Sequence, residues 1–361
     1  MTQTTATVAA PVVAPHVAGS AGVARTMFLV VGALTPATLY GFWLYGWPAI
    51  ILFMLTLGSC VFFEYLCLHL AGAAPKRHVT DGSAILTGWL LAMTLPPWAP
   101  WWTAVVGGFI AIVFGKQVFG GLGQNPFNPA MVARVALLVS FPVPLTLWVS
   151  PMPITAADAP GFIDALRIVF GTLPIPDGVT SASLLGHVKT EMSRGVDLFH
   201  SLNGEHGHLL SYAGERAGSL GETATWLILA GGAALLYLRV ITWHIPAAML
   251  LGVVVPAAIG HAVNPARFLD VTTHLMSGGV MLGAFFIATD YVTSPSTTTG
   301  KLIFGFGCGF FTFVIRTWGG YPEGVAFSVL LMNTLTPVID RFTAPRILGR
   351  DRRGRPLQIK S

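Results

Sequence analysis

Residues 107–138 read GGFIAIVFGKQVFGGLGQNPFNPAMVARVALL, and residues 305–333, GFGCGFFTFVIRTWGGYPEGVAFSVLLMN, follow the same pattern with Gly120-Gly121 set against Gly319-Gly320. Each stretch runs apolar, breaks at a glycine pair, then turns apolar again. A second matching pair lies upstream. DGSAILTGWLLAMTLPP at 81–97 resembles MSGGVMLGAFFIATDYV at 276–292, with Gly88 against Gly283 and Thr94 against Thr289. Self-similarity on this scale divides the chain into two halves.

A membrane crossing needs about 20 mainly apolar residues. Candidate spans lie near 26–46, 47–70, 82–95, 101–119, 128–143, 223–238, 245–262, 271–289, 301–316 and 323–340. Five spans per half is an odd number, which inverts one repeat relative to the other in the bilayer. Several spans, 82–95 above all, are too short for a straight crossing and must be shielded by protein, because lipid satisfies no free backbone group. The expected fold is an all-α integral membrane protein of about ten transmembrane helices, in two inverted five-helix repeats with broken or short helices. Its divisions are a lead at 1–25, repeats at 26–143 and 223–340, a long connection at 144–222 and a basic tail at 341–361. Composition points the same way. Of 361 residues 53% are hydrophobic and 10% charged, against about 25% charged in a soluble domain. A soluble enzyme and a disordered chain are both excluded.

The net charge of +5 does not indicate nucleic acid, because seven of the 20 Lys and Arg follow Asp340 in a juxtamembrane tail. Placing that tail and Arg25 inside also puts Lys76, Arg77, Lys116, Arg239 and Lys301 inside, and leaves Arg267 and Arg316 in the short outer connections. That bias orients both termini to the cytoplasm. The 144–222 connection then lies outside with eight of the 15 acidic residues. Residues 1–24 carry no Lys, Arg, Asp or Glu, so they read as a cytoplasmic lead without the basic region of a signal peptide. Cys60, Cys67 and Cys308 lie in apolar runs without a CxxC pattern, which excludes a self-contained cysteine-ligated cluster or zinc site. No metal site is expected.

Inverted repeats place a ligand site at their interface, which serves a solute channel or transporter of urea-channel-like architecture as well as an electron carrier. Three segments carry candidate chemistry. In PDGVTSASLLGHVKTEM (176–192), Asp177-Gly178 opens a turn, and Thr180, Ser181 and Ser183 surround Ala182. An ordinary helix N-cap accounts for these residues, and a helix N-terminus also binds phosphate. In GKQVFGGLGQNPFNPAMVAR (115–134), Lys116 and Arg134 flank a Gly-rich loop. There Asn125 and Asn128 either satisfy freed backbone groups or belong to a membrane site. In ATDYVTSPSTTTGK (288–301), Asp290 beside Thr and Ser suits a cation, a flavin or quinone ring, or a plain turn. Glu64, Asp290 and Asp340 are ion-path candidates, since ionised groups near lipid are costly. His69, His244, His261 and His274 read as interfacial or satisfied polar residues, and the glycines at 305–309 as close helix packing.

VFGKQVFGGLGQNPFNPAMVARVALLVSFP (113–142), TDGSAILTGWLLAMTLPP (80–97) and ATDYVTSPSTTTGK (288–301) resemble signatures of a membrane flavoprotein family shared by two respiratory complexes. Its members are the D subunit of the Rnf ferredoxin–NAD electron-transport complex and the B subunit of the Na⁺-translocating NADH:quinone reductase. The resemblance covers roughly residues 14–345, and the short lead is more similar to the Rnf type. It implies FMN joined by a phosphoester to a hydroxyl in a D-x-x-[ST]-x-A-T motif. Asp177, Thr180 and Ala182 match that motif, and Ser183 replaces its Thr at the attachment position. Tyr291 stands where the family has Pro. The resemblance further implies a second flavin, such as riboflavin, within the bundle, with Lys116, Asn125, Asn128, Arg134 and Asp290 as candidates. It also implies the A, B, C, E and G subunits of the Rnf complex as partners, a flavin transferase for maturation, and a place in a bacterial inner membrane. The activity implied is ferredoxin:NAD oxidoreduction by the whole complex, coupled to Na⁺ or H⁺ translocation. The chain would carry electrons across the membrane and would not be catalytic alone.

Overall fold

The computed structural model describes residues 22–72, 80–174, 180, 181, 183–194 and 217–345. Its first helix, α1 (Val23–Leu70), covers both of the first two expected spans. Gly46 (φ 68°, ψ −158°) breaks it, a backbone conformation that glycine adopts freely. Pro48 lacks an N–H, so the break leaves carbonyls without helical partners. Segments distant in sequence supply them: Met152 N donates to Leu44 O (3.0 Å) and Ile154 N to Trp43 O (2.8 Å). The Trp98 indole N–H donates to Tyr45 O (2.9 Å). The long connection thereby clamps onto the bend.

Next come α2 (Ser83–Thr94), α3 (Trp101–Phe109), which runs on through a π-helical turn at Ile110–Phe114, α4 (Pro129–Ser140) and α5 (Pro142–Thr146). In the connection, β1 (Trp148–Val149) pairs antiparallel with β2 (Thr180–Ser181), α6 (Phe162–Val169) packs on α1, and α7 is Leu184–Ser193. The second half holds α8 (Leu220–Thr223), α9 (Thr225–Tyr237), α10 (His244–Val263), α11 (Val271–Met276) and α12 (Val280–Leu282). A π-helical segment at Gly283–Ile287 follows, then α13 (Thr298–Trp318) and α14 (Val325–Thr343). Among the described residues, five helices are long and apolar enough to cross a membrane, and α2, α4 and α9 are shorter apolar helices. The chain is a multi-pass membrane protein.

Two parallel helix pairs organise the bundle. The later part of α1 runs beside α3: Ser59 Oγ donates to Ala104 O (2.9 Å), and Lys116 reaches Glu64 further along. α10 runs beside α13 with glycines at the contact, as the 305–309 pattern suggests. A Cβ on Gly305 would meet Ile245 O at 2.7 Å, and one on Gly309 would meet Met249 O at 2.0 Å. Only glycine permits backbones this close. α4 of the first half packs against α14 of the second, and one apolar core runs through both halves.

Candidate functional site

One candidate site lies where the 115–134 loop of the first half meets the 288–301 turn of the second. Gly120, Gly121 and Gly123 all have φ between 91° and 111°, so the loop needs glycine at these turns. Asn128 then caps α4: its Oδ1 accepts from Ala130 N (3.1 Å) and Met131 N (3.3 Å), and Pro129 follows at the first helical position. Asn125 Nδ2 donates to Phe127 O (3.0 Å). Both asparagines thus satisfy freed backbone groups, the first of the two roles open to them in the sequence. Asn128 also joins the halves, its N–H donating to Asn333 Oδ1 (3.2 Å) and its Nδ2 to Ile287 O (3.4 Å). Asn333 Nδ2 in turn donates to Thr293 O (3.1 Å). Asp290 accepts from Val292 N (3.2 Å) and Thr293 Oγ1 (3.3 Å).

Lys116, Asn125, Asn128 and Asp290 line one cavity with Thr87, Thr289, Phe285 and Phe286. Arg134 does not line it. Six residues along α4 at about 1.5 Å each carry it about 9 Å from Asn128. It is 8% exposed, makes no ion pair among the described residues, and its Nη1 has no hydrogen-bond partner. The cavity offers amide, hydroxyl and ammonium groups beside two phenyl rings, and Asn125 Oδ1 is buried without a partner. That donor and acceptor set suits the polar edge of a flavin ring. Its free volume is about 80 Å³, below the roughly 300–1,000 Å³ of ligand cavities. A ring would enter only by displacing flexible wall residues such as Met27 and Leu122.

A buried charged cluster borders this cavity. Lys116 Nζ donates to Glu64 Oε1 (2.5 Å) and to Ser83 Oγ (2.6 Å), and both charged side chains are 2% exposed. Ser83 Oγ donates to Asp81 Oδ1 (2.5 Å), while Gln117 Nε2 donates to Glu64 Oε1 (3.2 Å). The charge of Lys116 is therefore spent within the bundle. Asp340, the third ion-path candidate, accepts from Ser296 N (3.1 Å) and Oγ (3.3 Å) and staples two segments together.

The hydroxyl segment lies at the opposite end. Asp177, Gly178 and Ala182 fall outside the described residues. Thr180 and Ser181 form β2, and Ser183 is the N-cap of α7, with its Oγ accepting from Gly186 N (3.2 Å). Ser183 is 8% exposed, because the cap and the walls around it cover it. It borders a cavity of about 470 Å³ with Thr146, Trp148, Gly186, Lys189, Thr190, Gly320 and Pro322. That volume lies within the range of ligand cavities. A phosphate on Ser183 would meet a helix N-terminus, where backbone N–H groups lack intrahelical acceptors.

Two features here escaped the sequence. Lys189 Nζ donates to Ile315 O (3.4 Å), Arg316 O (3.2 Å) and Tyr321 O (3.0 Å), clipping α7 to the C-terminal end of α13. Burial pushes the Lys189 ammonium below its ordinary pKa. Arg316, which reads in sequence as an outer loop charge, is buried. It donates to His274 O (2.7 Å), Ser277 O (2.9 Å) and Glu323 Oε2 (2.7 Å). Its place in the last turn of a long helix was the available signal, because a helix C-terminus favours a cation. His274 is buried against Phe313.

A family model described as the NQR2, RnfD, RnfE family matches residues 12–349. Three curated relatives are each described as the D subunit of an ion-translocating oxidoreductase complex. That of Stutzerimonas stutzeri is 52% identical over 333 residues, 92% of this chain and 94% of the relative. That of Halorhodospira halophila is 47% identical over 346 residues, 96% and 97% of the two chains. The Rhodobacter capsulatus protein is 50% identical over 308 residues, 84% and 85%.

Proposed function

Because the chain belongs to the NQR2, RnfD, RnfE family, we propose that it is a flavin-bearing membrane component of an ion-translocating oxidoreductase complex, corresponding to the D subunit that its relatives represent. The complex works in a bacterial inner membrane, with the A, B, C, E and G subunits as partners. The chain crosses the bilayer ten times as two inverted repeats, with both termini cytoplasmic and 144–222 periplasmic. Support comes from the parallel helix pairs: α1 with α3 ends at Lys116, and α10 with α13 ends at Arg316, at the opposite end of the bundle. An inverted repeat requires that relation.

FMN is esterified to Ser183 by a flavin transferase, and a second flavin binds within the bundle. The isoalloxazine supplies the redox chemistry, and the protein supplies position and potential. At the periplasmic end the α7 N-terminus holds the phosphate, and the Lys189 clip fixes α7 on the bundle. At the cytoplasmic end the asparagines hold the seam between repeats. The chain would then carry electrons between a periplasmic flavoprotein partner and cytoplasmic carriers, coupled to Na⁺ or H⁺ movement.

The observation that carries this reading is the ligand-sized cavity over the capping hydroxyl of Ser183. The test is in-gel fluorescence of the denatured protein made with a flavin transferase. Yellow fluorescence is expected in wild type and Ser183→Thr and is lost in Ser183→Ala. A colourless wild-type band would favour the solute-channel reading, and a label mapped to Thr180 or Ser181 would move the attachment. Reporter fusions after Ser201 and Gly349 should report opposite compartments, and matching signals would end the ten-span topology.

A further inference from the structure

A cavity of about 540 Å³ opens where α10 and α13 end beside α7, and it meets the Ser183 cavity only at Lys189 and Pro322. The volume suits a ligand. α10 has 20 residues and α13 has 21; at about 1.5 Å per residue each matches the hydrocarbon thickness of about 30 Å. A cavity at their shared ends therefore lies at headgroup depth. Its apolar walls are Leu185, Val188 and Met192 of α7, and the Phe268 and Trp318 rings, edge to face with centroids 6.1 Å apart. Lys189, Arg267 and Arg316 also line it, and no carboxylate does among the described residues. Glu323 neutralises Arg316 at 2.7 Å. Lys189 donates only to main-chain carbonyls, Arg267 is exposed, and neither makes an ion pair among the described residues. Two positive charges are left over. On the buried wall, at 3% and 6% exposure, His274 Nδ1 and Arg316 Nε have no hydrogen-bond partner, a state that buried polar atoms rarely keep. Val255, Ile259 and Val263, four apart on α10, are all exposed and share one face. That apolar stripe ends beside Asn264, which lines the cavity.

From this geometry we propose that the cavity binds the headgroup of an anionic phospholipid from the adjoining leaflet. The phosphodiester sits by Arg267, whose guanidinium donates in a fork to two of its oxygens, and the charge of Lys189 adds to the attraction. A headgroup oxygen against the buried wall supplies the acceptor that Arg316 Nε lacks. Phe268 and Trp318 flank the glycerol level, where aromatic rings favour the membrane interface. One acyl chain follows the stripe from Val263 to Val255. A zwitterionic lipid carries its own ammonium toward the two free cations and binds less well. Free phosphate has the charge but gains nothing from the stripe. The lipid bridges α7 to the α10–α13 pair, the joint that Lys189 already clips. Neither the charge balance nor the stripe depends on a flavin at Ser183.

The test uses the full chain, purified and delipidated in mild detergent. Native mass spectrometry counts what stays bound as dioleoylphosphatidylglycerol, dioleoylphosphatidylcholine or inorganic phosphate is added. One phosphatidylglycerol per chain should be retained about tenfold more tightly than phosphatidylcholine, and Arg267→Gln should remove that preference, the worth of one charge-assisted hydrogen bond. Inorganic phosphate should neither be retained nor displace the lipid. Arg341→Gln, at an exposed position on the last turn of α14 at the opposite end of the bundle, should bind as wild type does. Tail-brominated phosphatidylglycerol should quench tryptophan fluorescence in a phase that saturates at one lipid per chain, and Trp318→Phe should lose that phase. Chain made with a flavin transferase should retain the same single lipid. Equal retention of the two lipids, unchanged preference in Arg267→Gln, or binding of phosphate alone would overturn the site. Loss of the lipid from flavinylated chain would overturn it too, with the flavin as the occupant.

Discussion

Removing one member of the Glu64–Lys116 pair should destabilise the bundle more than removing both. Nζ and Oε1 are 2.5 Å apart and both side chains are 2% exposed, so the survivor of a single substitution is a charge confined among apolar neighbours. Breaking a buried pair from one side costs about 3–5 kcal/mol, whereas replacing both partners by apolar residues of similar size is close to neutral. Ser83 and Gln117 hydrogen-bond the pair and would each lose a partner, adding about 1 kcal/mol. The cycle is Glu64→Leu, Lys116→Met and the double variant, measured by equilibrium SDS unfolding of the purified protein in mild detergent. Each single variant should lose at least 3 kcal/mol (about a hundredfold or more in the unfolding constant). The double variant should recover most of it, giving a coupling energy of about 5 kcal/mol or more. Single-variant losses below about 1 kcal/mol, as for an exposed pair, would refute the reasoning.

Ser183→Ala should lower stability by about 0.5–2 kcal/mol through loss of the α7 cap, while Ser183→Thr keeps it; unfolding of the flavin-free protein separates this effect from flavin loss. Gly309→Ala places a Cβ 2.0 Å from Met249 O, and forcing α10 and α13 apart should cost about 1–3 kcal/mol, whereas Gly320→Ala meets nothing within 4 Å and should be tolerated in the same unfolding assay. Asp270 caps α11. Burial raises its carboxyl pKa, but hydrogen bonds from Thr273, Thr272 and its own amide outweigh that and hold it below the ordinary value. Its stabilisation is therefore present above the ordinary carboxylate range and lost as pH falls through the depressed value. Asp270→Asn should flatten the acid limb of a stability–pH curve.

The apolar helices and the glycine turns were legible in the sequence because lipid imposes a local rule. A crossing must be apolar and hydrogen-bonded within itself, so its length and its breaks are written along the chain. Gly46, the Gly120-Gly121 loop and the Asn128-Pro129 cap follow from the residues present, and the 305–309 glycines were readable as a close contact. Which elements meet was not written locally. Asn128 finds Asn333 across 205 residues and Lys116 finds Glu64 across 52. Neither partner has a periodic signature, because a hydrogen bond depends on where two helices pack and not on neighbours in the chain. Tertiary structure alone buried Ser183 under its cap, separated Arg134 from the cavity and clipped Lys189 to α13. Each outcome depends on helix rotation and depth, which close glycine contacts set for the whole bundle at once.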